Sequence, residues 1–338
     1  MLKRITIALG LLGCSALAFA GAPGNSMVAP LPTGVDLEAP DSLGAWSFGI
    51  TALYVQPIGG DLQYAQIVDG NAISNKSVQP GNAWGGEADI TYHFAGTSRD
   101  VSLGYTHLDS DSTAKSGIGH LETIDEGFLF GGEELSSDPD VAKGEMDQDY
   151  NSADLTFGQQ LLVGNRLVLH PFIGVRYADI STDNKIKYSS SVNSADTGVG
   201  RIDSDFQGAG PRAGIDVRVL SGCGLSVVGT FGGALLVGSE DAHASITPSV
   251  VAGGAPTDWK NDDSVNLVPE LDARIGLDYT PHQLFPAGSM GFQVGYEVVH
   301  YFNASDIDNL DTTLVNSVNN QSSFSYQGPY FRLQLNIA

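Results

Sequence analysis

The sequence predicts an all-β chain: a transmembrane antiparallel β-barrel of about ten strands, with short periplasmic turns and long acidic external loops. Three observations predict it. The stretch Leu267–Thr280 alternates with period two, with Leu271, Ala273, Ile275, Leu277 and Tyr279 on one side and Glu270, Asp272, Arg274 and Asp278 on the other. That period is a strand, and its length suits a bilayer, which a tilted strand crosses in roughly 9–11 residues. Along the chain, short and long connections alternate, as an even-numbered barrel with both termini in the periplasm requires. The composition is 42% hydrophobic and only 16% charged with 42 glycines, and no apolar run is long enough for a spanning helix.

The elements follow in order. Residues 1–20 read as a secretory signal: Lys3 and Arg4 precede the apolar Ile5–Leu12, and Ala18-Phe19-Ala20 is a small-x-small cleavage site. A competing reading takes Leu11-Leu12-Gly13-Cys14 as a lipobox with an acylated Cys14. Residues 21–44 form a Pro- and Gly-bearing periplasmic lead-in, and 45–338 the barrel. The strands are expected at Ala45–Gln56, Trp84–Phe94, Asp100–Leu108, Tyr150–Gln159, Leu167–Ile180, Phe206–Val219, Leu225–Val237, Leu267–Thr280, Gly291–Tyr301 and Gly328–Ala338. Each carries apolar residues on one parity, such as Phe48 and Ile50 in the first or Ile173 and Val175 in the fifth. Asn184–Ser190 and Ile246–Val251 are stretches that would extend a hairpin and shift the strand count by two. Trp46, Phe94, Tyr279 and Phe292 at one end and Tyr54, Trp84, Tyr105, Tyr177 and Tyr301 at the other form aromatic girdles.

The charged residues on the opposite parity are the candidate lumen lining. The acids are Glu87, Asp89, Asp154, Asp216, Glu270, Asp272, Asp278 and Glu297, with Asp100 beside them. The bases are Arg176, Arg212, Arg218, Arg274 and Arg332. Such a set either pairs wall to wall and fills a narrow lumen or forms a charged constriction that tunes ion passage. From Asp109 to Gln148, eleven acids face two lysines, so a mouth built there concentrates cations.

Other motifs carry less. Gly208-Ala209-Gly210-Pro211 lacks the third glycine of a phosphate loop, and Pro211 has no donor. The acids between Glu122 and Asp149 match no EF-hand spacing, so no metal and no cofactor is expected. His107 with Asp109 and Asp111, and His300 near Asp306, are acid–His groups at the outer rim without a readable nucleophile, so no enzyme is expected. After cleavage Cys223 is the remaining thiol, which excludes an internal disulfide. A formal net charge of −23 argues against nucleic acid as a partner. The partners expected are outer-membrane lipid and lipopolysaccharide, and small solutes or ions; a homo-oligomer is compatible with all of this.

Several strings are shared with a known family: A-L-Y-V-Q-P at Ala52–Pro57, F-Q-G-A-G-P-R at Phe206–Arg212, A-L-L-V-G at Ala234–Gly238, L-V-P-E-L-D-A at Leu267–Ala273, Y-F-N-A at Tyr301–Ala304 and Q-G-P-Y at Gln327–Tyr330. By these the chain resembles the Legionella major outer membrane protein family, pore-forming β-barrels of the bacterial outer membrane. The resemblance implies an outer-membrane, surface-exposed barrel with porin-like activity. Two departures matter: family cysteines associated with cross-linked porins are not evident, and the chain ends Ile337-Ala338 without a terminal aromatic. The leading expectation is a porin-like protein passing ions or small solutes, with a preference for cations. The alternatives are a closed-lumen structural or adhesive surface protein and, third, a rim-site hydrolase.

Overall fold

The structure is a computed structural model that describes residues 35–36, 45–58, 62–69, 72–117, 123–124, 140–221, 224–281, 288–306 and 321–337. The signal segment, most of the lead-in, Cys223 and the acids from Glu122 to Asp138 lie outside the described residues. Ten strands form one antiparallel meander: β1 Ala45–Ile58, β2 Ala83–His93, β3 Arg99–Gly117, β4 Val141–Gln159 and β5 Leu167–Ser189. They continue with β6 Thr197–Leu220, β7 Leu225–Thr247, β8 Thr257–Tyr279, β9 Gly288–Asp306 and β10 Gln321–Ile337. Each pairs with its sequence neighbours, and β10 closes on β1 through Ile337–Trp46, Leu333–Ile50 and Ser325–Ile58. Closure satisfies both ladder edges, which is what lets strands stand in hydrocarbon.

All ten expected strands are present, and at the end where β1 begins and β10 ends their limits agree with expectation to within a few residues. At the other end most run further. The segments 181–205 and 238–266, expected as long loops, are largely strand, leaving connections at 190–196 and 248–256. Asn184–Ser189 simply continues β5 and Ile246–Thr247 continues β7.

The physical reason is an inversion of polarity along each strand. In the terminal-end half, apolar side chains point out: Ile50, Leu103, Leu155, Ile173 and Ile275 are all at least half exposed on the barrel's outer face. Beyond Tyr105 and Tyr177 the outward residues become polar and the inward ones apolar. On β4, for example, Asp147 and Asp149 face out while Met146 and Tyr150 are buried inside. The same backbone thus suits hydrocarbon at one end and water at the other.

Outside the apolar band, register sets carboxylates side by side. Asp111, Asp147, Asp183 and Asp203 are successive partners across β3–β6. Asp109 faces Asp149, and Asp205 faces Asp241, in a second row. Asp109, Asp111 and Asp147, expected at the mouth, therefore point away from the axis. Partial burial, then the facing Asp111, raises the Asp147 carboxyl above its ordinary value; partial burial, then Asp203, does the same to Asp183.

One further irregularity shapes the outer end. Register shifts between Tyr301 and Ser305, where Asn303 has a φ of 53° and its N–H donates to Ser323 Oγ at 3.2 Å. Asn tolerates this left-handed backbone better than most residues. The bulge keeps both Tyr301 and Ala304 buried.

Two outcomes test this fold. Leu271→Arg sets a charge on the apolar outer face and should lower stability in lipid by about 2–4 kcal/mol if it lies near the bilayer midplane. Denaturant titration in vesicles measures it, and a neutral result contradicts the inside–outside assignment. At Asp147 and Asp183 the folded state holds protons more tightly than the unfolded chain. The associated stabilisation is full below the ordinary value of 3.8 and is lost as pH rises through the raised values of Asp147 and Asp183. Hydrogen exchange, corrected for its intrinsic pH dependence, should show outer β4–β6 less protected at neutral than at acid pH, and Asp183→Asn should flatten that difference.

Candidate functional site

The barrel interior is layered from the terminal end outward. At the mouth where β1 begins and β10 ends, His170 on β5 lies between two carboxylates. Its Nδ1 is 2.8 Å from Asp216 Oδ2 and its Nε2 is 3.0 Å from Asp100 Oδ2. Asp216 also accepts from Thr230 Oγ1 at 2.7 Å. On the far side of Asp100, His93 stands 3.7 Å away and bonds Ser47 Oγ at 3.1 Å, and Ser47 donates to Asn336 at 2.7 Å. Polar contacts thus run around the inner rim from β7 to β10. Arg218, half exposed, reaches Asp278 only at 4.0 Å.

Above this rim the predicted charges form two clusters. In one, Arg176 forks onto Asp154 at 2.7 and 2.5 Å and reaches Glu270 at 2.6 Å. Arg212 bonds Asp272 at 2.5 Å and Glu270 at 3.3 Å. In the other, Arg274 bonds Glu87 at 2.6 Å and pairs with Glu297, while Arg332 forks onto Asp89 at 2.5 and 2.9 Å. These contacts join strands that are not neighbours, such as β5 with β8 and β8 with β2, so they cross the interior. Each cluster sets three carboxylates against two guanidinium groups. Bidentate geometry offsets much of the desolvation that burial imposes on such charges.

The next layer is apolar. Every strand contributes to it, including Leu53, Leu108, Tyr150, Ile180, Phe206, Leu236, Val268 and Tyr301, and all of these are essentially inaccessible. Tyr150 and Tyr301 share a hydroxyl hydrogen bond of 2.8 Å, and Phe324 stacks on Tyr150 at 5.5 Å between centroids. Such aromatic pairs add about 0.5–1.5 kcal/mol each beyond their area. Tyr330 borders the layer and the Arg274 cluster at once: the guanidinium carbon lies 4.8 Å from its ring centroid. The ring fits because Gly276 has no side chain; a Cβ there would stand 2.5 Å from the Tyr330 hydroxyl.

The outermost layer includes a segment that is not part of the barrel wall. The hairpin of Leu62–Asp69 and Ala72–Val78 brings Leu62, Tyr64, Ala65 and Val78 into a second buried cluster with Met146, Ile186, Tyr188 and Ile246 from the inner face of the wall. Tyr188 donates its hydroxyl proton to the Tyr64 carbonyl at 2.6 Å, and the Tyr64 hydroxyl bonds Ser116 at 2.7 Å.

Sequence alternation gathered the charges without their partners, and both apolar layers went unforeseen. A signal existed: Leu108, Tyr150, Ile180 and Phe206 share the parity of the inward charges. The rim histidines sit differently from expectation. His107 Nδ1 contacts the Asn151 side-chain oxygen at 2.9 Å, which also accepts from Tyr105 at 2.7 Å, and His300 packs edge-on against Phe302. Removing one partner of a buried pair leaves an uncompensated charge. Arg176→Met should therefore destabilise the barrel by about 3–5 kcal/mol. Arg218→Met at the half-exposed mouth should change little, and unfolding of both in the same detergent compares them.

Comparison with curated proteins gives no match. Among solved structures, the outer membrane protease OmpT of Escherichia coli aligns at TM-score 0.40 and 10% identity, over 87% of this chain and 96% of that one. A major outer membrane protein of Thermus thermophilus aligns at 0.33 and 12%, over 88% and 99%. The toluene transporter TodX of P. putida aligns at 0.34 and 9%, over 88% and 90%. Likenesses this weak transfer no activity to this chain. The family model described as Legionella pneumophila major outer membrane protein precursor matches residues 38–337. With nearly the whole chain covered by that match, the protein belongs to the Legionella major outer membrane protein family and is a β-barrel of the bacterial outer membrane.

Proposed function

We propose that this protein is a closed-lumen barrel that anchors an acidic wall at the cell surface, and that it does not stand open as a diffusion pore. The observation that carries this reading is the apolar layer to which all ten strands contribute side chains. Water and ions gain nothing in such a layer, and an apolar constriction opposes wetting even where a gap exists. The docked hairpin adds a second barrier above it. The chain is exported by a signal cleaved after Ala20, with residues 21–44 as a periplasmic lead-in.

A cation-preferring pore is the second reading. What favours it is the excess of carboxylates over guanidinium groups in both inner clusters. It requires the tyrosine layer and the hairpin to move aside, so conduction would be gated.

Planar-bilayer recording separates the two. The wild-type protein should give no steady ion steps. Deleting residues 62–78 should leave it closed, because the tyrosine layer remains. The pair Tyr150→Gly and Tyr301→Gly combined with that deletion should open a conductance that favours cations at low salt and loses the preference as salt rises. Steady open channels in the wild-type protein would overturn the closed reading and restore the porin.

A further inference from the structure

The outer face of the barrel is not evenly bulky. A cavity of about 1000 Å³ lies on it, lined almost wholly by apolar atoms. Register explains its shape. One row across the wall runs Phe157, Ile173, Ala213, Gly233, Leu271. Its two central members, on β6 and β7, have almost no side chain, while large ones stand on both sides. The next row outward runs Leu155, Val175, Pro211, then Leu235, Pro269. There the prolines offer no N–H to the ladder, and the β6–β7 pairing is interrupted between Ala209 and Arg212. The result is an open, shallow trough centred on Ala213 and Gly233, bordered by Phe157 and Ile173 on one side, by Leu271 and Phe302 on the other, and by Leu235 at its outer end.

We propose that this trough holds the acyl chain of a membrane lipid as a retained ligand, distinct from the exchanging lipid around the rest of the wall. The trough is continuous with the exposed apolar band, in which Phe157, Ile173 and Leu271 are themselves members. Its occupant therefore comes from hydrocarbon and not from water. No charged side chain from the outer parity lines it; Arg212 and Glu270 border it from the inner parity and are held in the inner ion-pair cluster. It thus recognises a chain and not a headgroup. A second copy of the barrel fits less well. A two-fold interface sets the same concave surface against itself, which leaves a void where packing is needed.

The test uses the full barrel in bilayers of phosphatidylcholine with brominated chains, which quench tryptophan on contact. Trp46, Trp84 and Trp259 are replaced by Phe. A single reporter is then placed either in the trough, as Phe157→Trp, or on the outer face of β10, as Phe331→Trp. The proposal expects both reporters to be quenched, with several-fold slower recovery at the trough reporter on dilution into unbrominated lipid. Ala213→Phe, which fills the floor with another apolar side chain, should bring the trough reporter to the behaviour of the β10 reporter. Identical recovery rates at the two reporters would overturn the proposal. So would a trough reporter shielded from bromine while Leu235→Cys cross-links two barrels, which would assign the trough to a second copy.

Discussion

Closure of β10 on β1 underlies every other feature of this barrel. Backbone N–H and C=O groups in hydrocarbon have no water to bond, so no edge strand survives there. Ten tilted strands meet that demand with a small circumference. A small circumference brings facing walls close enough for Arg176 on β5 to reach Glu270 on β8, and Arg274 on β8 to reach Glu87 on β2. The interior is therefore close to the size at which side chains fill it. The ion pairs and the tyrosine layer are two chemically different ways of filling the same narrow space.

The strands solve two solvent problems in one pass. Next to lipid the charges must be inside, where they pair; above the lipid the charges must be outside, where water solvates them. The crossover occurs near Tyr105 and Tyr177, side chains with an apolar body and a polar tip. Above that level the protein resembles a water-soluble barrel with its own core, completed by the hairpin that carries Tyr64. There a Cβ on Gly144 would come within 2.9 Å of the Tyr64 ring, so the wall itself is shaped to receive the hairpin.

The strand count and the facing of each strand were legible because alternation persists across the whole lipid band. Strand ends near the termini were legible because short polar turns mark them. The outer ends were not, since residues such as Asp109, Asp111, Asp183 and Asp203 look like loop when apolar outward residues are taken as the mark of a strand. Parity alone would have recovered them, because Leu108, Tyr150 and Ile180 keep the inward phase without interruption. The identity of the charges was legible and their pairing was not. Which carboxylate meets Arg274 depends on strand tilt and barrel width, which bring β2 and β8 together across 187 residues of sequence.

The position of β8 in this network bears on biogenesis. Glu270, Asp272 and Arg274 follow one another on its inner face, the first two tied to β5 and β6 and the third to β2 and β9. A nascent sheet that ended at β8 would carry every residue of the first cluster, but Arg274 would still await β9 and the closing edge. Enclosing that guanidinium before Glu297 and Glu87 arrive would strand a charge, whereas an open sheet leaves it hydrated. Neutralisation and seam closure thus become a single late event. Only the finished ring brings Glu87 and Glu297 together on the Arg274 guanidinium.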